Sequence, residues 1–273
     1  MLNSETHLAQ LKEKVIVVTG GASGVGREIA LQCARLGAKG VLVTDKNKAG
    51  GKETADQIKH IGRQTGVKTH AQFVEADLTR EDDCRAIVRV CDEVFGQVDG
   101  VVNAAGRGTR GNLENTQVSL WDEMMNLHVR APFILIQEAS KVMQREKKGG
   151  SIINIGSINA HGGDPEIFAY SVAKGALMTL TKSAAFALRK DNIRLYCLNI
   201  GWTATGQEHI IQTENGQPEN WLERADKTMP FGRLARPDDI SPMVSFLLSD
   251  QARMVTGSII EWDQKMVSGP YRS

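Results

Sequence analysis

Short apolar runs that stop at glycine or a polar residue alternate along this chain with stretches in which apolar residues recur every three or four positions. The first run, Lys14–Thr19 (KVIVVT), ends at glycines, and Ile29, Ala30, Cys33, Ala34 and Leu36 then keep helical spacing up to Gly37, a natural helix stop. Gly40–Asp45 (GVLVTD) reads as a second strand and leads into a polar helix from about Ala49 to Arg63. A third strand is predicted near Ala71–Ala76, a helix from about Arg80 to Phe95, and a fourth strand at Asp99–Asn103. Ser119–Lys147 contains a long helix, Ser151–Gly156 a β-branched strand, Ala169–Lys190 an Ala-rich helix and Ile193–Asn199 another strand. Gly201–Met229 is less regular. After Pro237 a helix to about Leu248 precedes a last strand, Ser258–Trp262.

Strands alternating with helices imply parallel pairing through right-handed crossovers. The predicted fold is therefore α/β: a doubly wound, Rossmann-type parallel sheet of about seven strands with helices on both faces. Strands that are apolar without alternation fit a sheet covered on both sides. No linker, low-complexity tract or fixed-period repeat interrupts the pattern, so residues 1–273 are read as a single domain with a substrate-loop region at about 201–229.

Charge adds exclusions. Lys and Arg total 33 against 32 Asp and Glu, which argues against a nucleic-acid binder and against a polybasic membrane contact. The basic residues Lys46, Lys48 and Lys52 are interleaved with Asp45 and Glu53 and read as a solvated helix start. Met1–Lys14 has no apolar stretch of signal-peptide length, and nowhere do 18 apolar residues run together. Cys33, Cys84, Cys91 and Cys197 lack metal spacing and read as buried free thiols, which suits a reducing cytoplasm. No metal is expected; His161 has no partner spaced for one.

In such sheets ligands bind at the carboxyl ends of strands. Thr19–Gly26 (TGGASGVG) closes the first strand and opens the first helix. Its glycines let the backbone approach a pyrophosphate, and the helix start offers unpaired N–H groups to the phosphates. Gly20, Ser23, Gly24, Val25 and Gly26 are the candidate cradle. Asp45 ends the second strand, where a carboxylate accepts hydrogen bonds from ribose hydroxyls and repels a 2′-phosphate. The expected cofactor is NAD rather than NADP, with Lys46 and Lys48 as the neighbouring cations that bear on that choice.

At this point the chain resembles the short-chain dehydrogenase/reductase family over nearly its whole length. The resemblance rests on Thr19–Gly26, Asn103-Ala104-Ala105-Gly106, Asn126, Ser157, and Tyr170-Ser-Val-Ala-Lys174, in that order. It implies that Asp77 and Leu78 contact adenine, and that Asn103, Ala104 and Gly106 brace the sheet and line the cofactor cleft. It also implies that Gly201, Thr203 and Thr205 lie at the nicotinamide end, that Lys174 holds the nicotinamide ribose, and that Asn126 holds a water linking Lys174 to solvent. A homo-oligomer, dimer or tetramer, built through the helices at Ser119–Lys147 and Ala169–Lys190 and the last strand, is implied too. Two departures stand out: Ile200 takes the place of the family's proline before Gly201, and Asp263-Gln264-Lys265 replaces an Asp-Gly-Gly turn.

The residues themselves suggest chemistry. Tyr170 and Lys174, four apart, share one helix face. A free phenol has a pKa near 10, and an adjacent ammonium together with oxidised nicotinamide is expected to lower it toward working pH. Tyr170 is thus a candidate base for alcohol oxidation and acid for carbonyl reduction, with the Ser157 hydroxyl on the substrate oxygen. The loops expected to face the substrate are polar: Arg107, Thr109 and Arg110; Asn159, His161, Asp164 and Glu166; Trp202, Glu208 and His209. Ser157, Asn159, His161, Tyr170 and Trp202 are the substrate-binding candidates. An NAD-dependent dehydrogenase of a polar secondary alcohol, such as a sugar or polyol, is the leading reading. The alternatives are a ketoreductase of acyl or aromatic ketones and a dinucleotide-binding regulator without turnover.

Overall fold

The computed structural model describes residues 10–162 and 164–265, so the two ends of the predicted 1–273 unit lie outside the described residues. Its strands are β1 (Val15–Thr19), β2 (Gly40–Asp45), β3 (His70–Glu75), β4 (Gly100–Asn103), β5 (Gly150–Ser157), β6 (Ile193–Ile200) and β7 (Ser258–Trp262). They pair, all parallel, in the order β3-β2-β1-β4-β5-β6-β7. The helices are α1 (Gly24–Arg35), α2 (Lys48–Thr65), α3 (Glu81–Phe95), α4 (Val118–Met125), α5 (Ala131–Glu146), α6 (Phe168–Leu188), α7 (Gly206–Glu214), α8 (Trp221–Lys227) and α9 (Pro237–Leu248).

The apolar strands look unpatterned because both faces are covered, yet side chains still alternate. Ile16, Val18, Val41, Val43, Ile153, Tyr196 and Leu198 pack with α1 and α9 through Ile29, Cys33, Ile240 and Val244. Their neighbours Val15, Val17, Leu42, Val101, Ile152 and Leu195 pack on the opposite face with α3 and α5 through Ile87, Cys91, Leu135 and Ala139. Each strand residue thus has an apolar partner whichever way the pleat turns it. Strand order reverses between β1 and β4, and that reversal opens a crevice beyond their carboxyl ends.

Two regions depart from the sequence expectation. The helix predicted within Ser119–Lys147 is not uniformly α: a π turn at Asn126–Arg130 joins α4 to α5. The irregular region after Gly201 carries two short helices, α7 and α8, which apolar periodicity concealed because their cores are small. Trp221, Ala225, Met229 and Leu234 form a separate cluster there.

Asp99 is a junction of the central strands. Its carboxylate Oδ2 accepts from the Val15 N–H at 2.7 Å and from Gln97 Nε2 at 2.7 Å, while its own N–H donates to the Val15 carbonyl at 2.9 Å. Asp99→Ala leaves the Val15 N–H without its acceptor and should cost about 1–3 kcal/mol. For a chain of this size that lowers Tm by roughly 2–4 °C per kcal/mol. Thermal melts of Asp99→Ala beside Asp99→Asn, which keeps an acceptor oxygen, check this; equal melting of all three proteins would refute it.

Candidate active site

The turn after β1 is built for close approach. A Cβ on Gly26 would stand 2.3 Å from the Gly20 carbonyl oxygen, so only glycine lets the turn fold over the start of α1. That helix start is left open: Ser23, its N-cap, makes no side-chain capping bond, and the first turn carries no acidic residue. Unpaired N–H groups and the positive end of the helix dipole therefore face outward, which suits a pyrophosphate. The turn is braced from below by Thr19, whose hydroxyl accepts from the N–H groups of Ala104 and Ala105, both at 3.1 Å.

A cleft of about 830 Å³ runs along the carboxyl edge of the sheet. Its walls include Gly20, Ser23, Gly24, Val25, Gly26, Asp45, Asp77, Leu78, Ala104, Gly106, Asn126, Tyr170, Lys174 and Thr205, all marked in the sequence. The Asp45 carboxylate is held by the N–H of Ala22 (3.1 Å) and of Asn47 (2.9 Å), one on each oxygen. Lys46 reaches the cleft wall, whereas Lys48 pairs with Glu75 at 2.8 Å and Arg27 pairs with Glu53 at 2.9 Å. Asp77 folds back onto Thr79, whose hydroxyl donates to it at 2.7 Å; that bond holds its carboxyl below the usual range.

Other marked residues lie elsewhere. Asn103 does not line the cleft; its amide donates to Asn154 Oδ1 at 2.7 Å, and Asn154 donates on to Thr181 at 2.9 Å, tying β4, β5 and α6 together. Gly201 and Thr203 are buried behind the wall, Gly201 under the Asp263 side chain and Thr203 donating to the Gly201 carbonyl at 2.9 Å. Asn159, His161 and Trp202 stand outside the cleft wall. His161 Nε2 pairs with Glu261 Oε1 at 2.9 Å, and Trp202 stacks on Trp221 (ring centroids 6.2 Å apart) while its Nε1 donates to Glu208 at 2.7 Å. Ser157 is buried at the end of β5, where its Oγ accepts from the Asn159 N–H at 3.2 Å.

The departures from the family pattern have structural substitutes. Ile200 lines the cleft and stays in register with Trp262, so the strand continues where a proline would end it. The loop beyond is fastened by the Ala204 N–H to the Ala235 carbonyl (2.8 Å). Gln264 accepts from the Phe231 N–H at 2.8 Å and donates to the Arg233 carbonyl at 2.7 Å, clamping the chain before α9 to the end of β7.

Tyr170 and Lys174 share the inner face of α6. Lys174 is 5 % exposed; its Nζ donates to the Ile155 carbonyl at 2.7 Å and lies 5.6 Å from the Tyr170 ring centroid. The expected lowering of the phenol by its ammonium neighbour is not found in the protein alone. Burial pushes Tyr170 above its ordinary value; the Ser157 hydroxyl opposes this, and Cys197 and Glu208 add to it. Burial also pulls Lys174 down from 10.5 to about 8, against a smaller upward push from Cys197. Desolvation is the leading cause for both groups.

Sequence reasoning missed Ser119, Glu123, Leu127 and Gln207, which also line the cleft. Ser119, Glu123, Asn126 and Leu127 fall on one face of α4 and the π turn, so helical spacing around Asn126 was the available signal. It missed His128 too, which is buried against Tyr170 with ring centroids 5.1 Å apart.

Residues 20–264 match the family model described as enoyl-(acyl carrier protein) reductase. The 2-(S)-hydroxypropyl-CoM dehydrogenase 3 of Xanthobacter autotrophicus is 32% identical over 260 residues, covering 95% of this chain and 98% of that protein. The L-sorbose reductase of Gluconobacter frateurii, solved with NADPH and L-sorbose, superposes with a TM-score of 0.87 at 28% identity, over 96% of this chain and 100% of that one. A 7α-hydroxysteroid dehydrogenase solved with NADH and 7-oxo glycochenodeoxycholic acid superposes with a TM-score of 0.85 at 27% identity, over 98% and 99%. The chain belongs to the short-chain dehydrogenase/reductase family, whose members are oxidoreductases of alcohols and ketones that bind a nicotinamide dinucleotide. Among the described residues no helix is long and apolar enough to cross a membrane, and no group of three or more His, Cys, Asp or Glu is placed to hold a metal.

A buried ammonium opposes folding. In the native chain Lys174 loses its proton near pH 8, in the unfolded chain near 10.5, so native stability climbs as pH rises through that window. Lys174→Met lacks the effect. The variant should be the more stable protein at pH 7, by on the order of 3 kcal/mol before the lost hydrogen bond is counted, with the gap closing toward pH 10.5. Urea unfolding of both proteins across this range checks it; a pH-independent gap would show that the amine is not desolvated.

Proposed function

We propose that the protein is an NAD-dependent dehydrogenase/reductase acting on a polar secondary alcohol and its ketone, with a sugar or polyol as the substrate class. One observation carries the reading: Tyr170 and Lys174 line the same cleft as the open start of α1, and Ser157 closes the strand beside them. The glycine cradle and the uncapped helix match a dinucleotide's pyrophosphate, and Asp45 stands where ribose hydroxyls would sit. A bound nicotinamide supplies the hydride exchange.

The chain's own part is proton management. Ser157 can hydrogen-bond the substrate oxygen. Tyr170, held protonated by burial, donates its proton to a carbonyl during reduction; as a base it needs positive charge beyond that of Lys174 to bring its pKa down. Lys174 positions the ribose hydroxyls while anchored on the Ile155 carbonyl, and Asn126 sits in the cleft wall where it can hold a relay water.

Preference for NAD is supported by the fixed Asp45 carboxylate and by the engagement of Lys48 and Arg27 with Glu75 and Glu53. Lys46 favours the second reading, in which NADP is accepted, and the L-sorbose reductase relative carries NADPH. The steroid in the hydroxysteroid dehydrogenase relative argues for the ketoreductase alternative, against which stand the charged side chains Arg107, Asp122 and Glu123 on the cleft wall. Assembly as a homo-oligomer is supported by exposed Phe133 on α5 and by Val172 and Phe186 on α6. A cytoplasmic setting is supported by four buried free thiols.

Screening alcohols, sugars and polyols for NADH formation should identify turnover with at least one polyhydroxylated substrate. A protein that binds NADH but turns over nothing would be a regulator instead. Tyr170→Phe should lose activity by about a thousandfold or more while its NADH affinity stays near that of the native protein. Retained turnover would remove the tyrosine from the chemistry. Higher kcat/KM with NADP than with NAD would reverse the cofactor assignment.

A further inference from the structure

His128 occupies the π turn between α4 and α5, where the Asn126 carbonyl accepts from the Ala131 N–H. Such turns often mark functional positions in helices. The imidazole is 1 % exposed and stands perpendicular to the Tyr170 ring, at 87° and 5.1 Å between centroids. Its Nε2 lies 3.1 Å from the Arg107 carbonyl. A carbonyl only accepts, so Nε2 carries the hydrogen and Nδ1 is a bare acceptor, buried with no hydrogen-bond partner.

The ring also fills the space that glycine leaves at position 106: a Cβ on Gly106 would stand 2.6 Å from His128 Cε1. One side chain therefore touches both walls of the cleft, α6 through Tyr170 and the turn after β4 through Gly106 and Arg107. Arg107 is held a second time, its guanidinium paired with Glu123 of α4. The charged and titratable groups around the imidazole are Lys174 and Tyr170 of α6 and Arg107 of the turn. Burial first, then the Lys174 and Arg107 charges, hold His128 well below the usual histidine range against the pull of its carbonyl bond. It stays uncharged across working pH. Ordinary core packing would be met by an apolar ring, which would bury no orphan acceptor.

We propose that His128 is a positioning residue that couples the Tyr170 ring to the Gly106–Arg107 turn, so that the acid–base group and the cofactor-facing wall keep one fixed spacing. This rests on Tyr170 being the acid–base group proposed above, and the two contacts separate experimentally. His128→Phe keeps a ring against Tyr170 and removes the donor to Arg107; His128→Gln can keep a donor and removes the ring. His128→Phe should weaken NADH binding about tenfold, the loss of one buried hydrogen bond, with kcat changed less than about threefold. His128→Gln should bind NADH within about threefold of the native protein and lose about ten- to a hundredfold in kcat, as expected for a misplaced catalytic group.

NADH affinity is read by fluorescence titration, which needs no turnover, and kcat with the substrate from the screen. Loss of turnover with NADH affinity intact in Tyr170→Phe supports the base assignment independently, so a failure of that reading is distinguishable from a failure of this one. Gly106→Ala gives a test from the opposite side of the contact. Its added methyl should weaken NADH binding, and the double variant with His128→Gln, in which the rigid ring is gone, should recover part of the loss. Unchanged NADH affinity in His128→Phe, unchanged kcat in His128→Gln, or no recovery in the double variant would each overturn the proposal.

Discussion

The hydrogen bond from Lys174 to the Ile155 carbonyl spans the gap between α6 and the carboxyl-terminal part of β5, and the rest of the cleft is arranged around it. It is buried, so it is protected from competition with water, and it sets the height of α6 above the sheet edge. From that anchor Tyr170, one helical turn earlier, falls beside Ser157 at the end of the same strand. The amide chain from Asn103 through Asn154 to Thr181 ties α6 to β5 and β4 a second time, two turns further along the helix. With two polar ties spaced along it, α6 cannot slide without breaking one. A helix held only by apolar contacts lacks that constraint, because such packing tolerates small shifts at low cost.

The sheet was legible because each strand is a short apolar run bounded by glycine or a polar residue, and because alternation with helices leaves one chirality of crossover. The glycine turn, Asp45 and the Tyr170–Lys174 pair were legible for a different reason: each is local in sequence, with its chemistry set by residues at most a few positions apart. Reach in space was not legible. Asn159, His161 and Trp202 follow the strand ends as expected, yet none lines the cleft: His161 is held by Glu261, Trp202 by Glu208 and Trp221, and Asn159 turns back onto Ser157 through its N–H. No spacing rule announces a partner 100 residues away. The π turn was equally hidden, since one extra residue in a helical turn changes which side chain faces inward without changing the composition. His128, within that turn, packs against Tyr170 behind the cleft wall.

The ionisation of the buried pair also ran against the expectation drawn from proximity. Two groups of opposite tendency side by side help each other to charge only when the solvent around them is not also removed. Here removal of solvent dominates: the phenol is raised, the amine is lowered, and each is moved toward its neutral form. His128 is neutral by the same cause. Tyr170 and His128 are therefore neutral, while Lys174, lowered only to about 8, still carries its proton near pH 7; the mouth of the cleft carries Asp45, Lys46, Asp77, Arg107 and Glu123.

That division has a chemical consequence. In a desolvated interior an incoming charge is poorly screened, so a cation placed beside Tyr170 acts on it more strongly than the same cation at the surface. A protonated phenol is already suited to donate to a carbonyl. The reverse task, accepting a proton from an alcohol, is favoured when further positive charge joins that of Lys174 next to the ring. The residues that keep the interior dry, with Ile155 and Leu127 on the wall and His128 behind it, thus bear on the direction of proton flow although none of them exchanges a proton with the substrate.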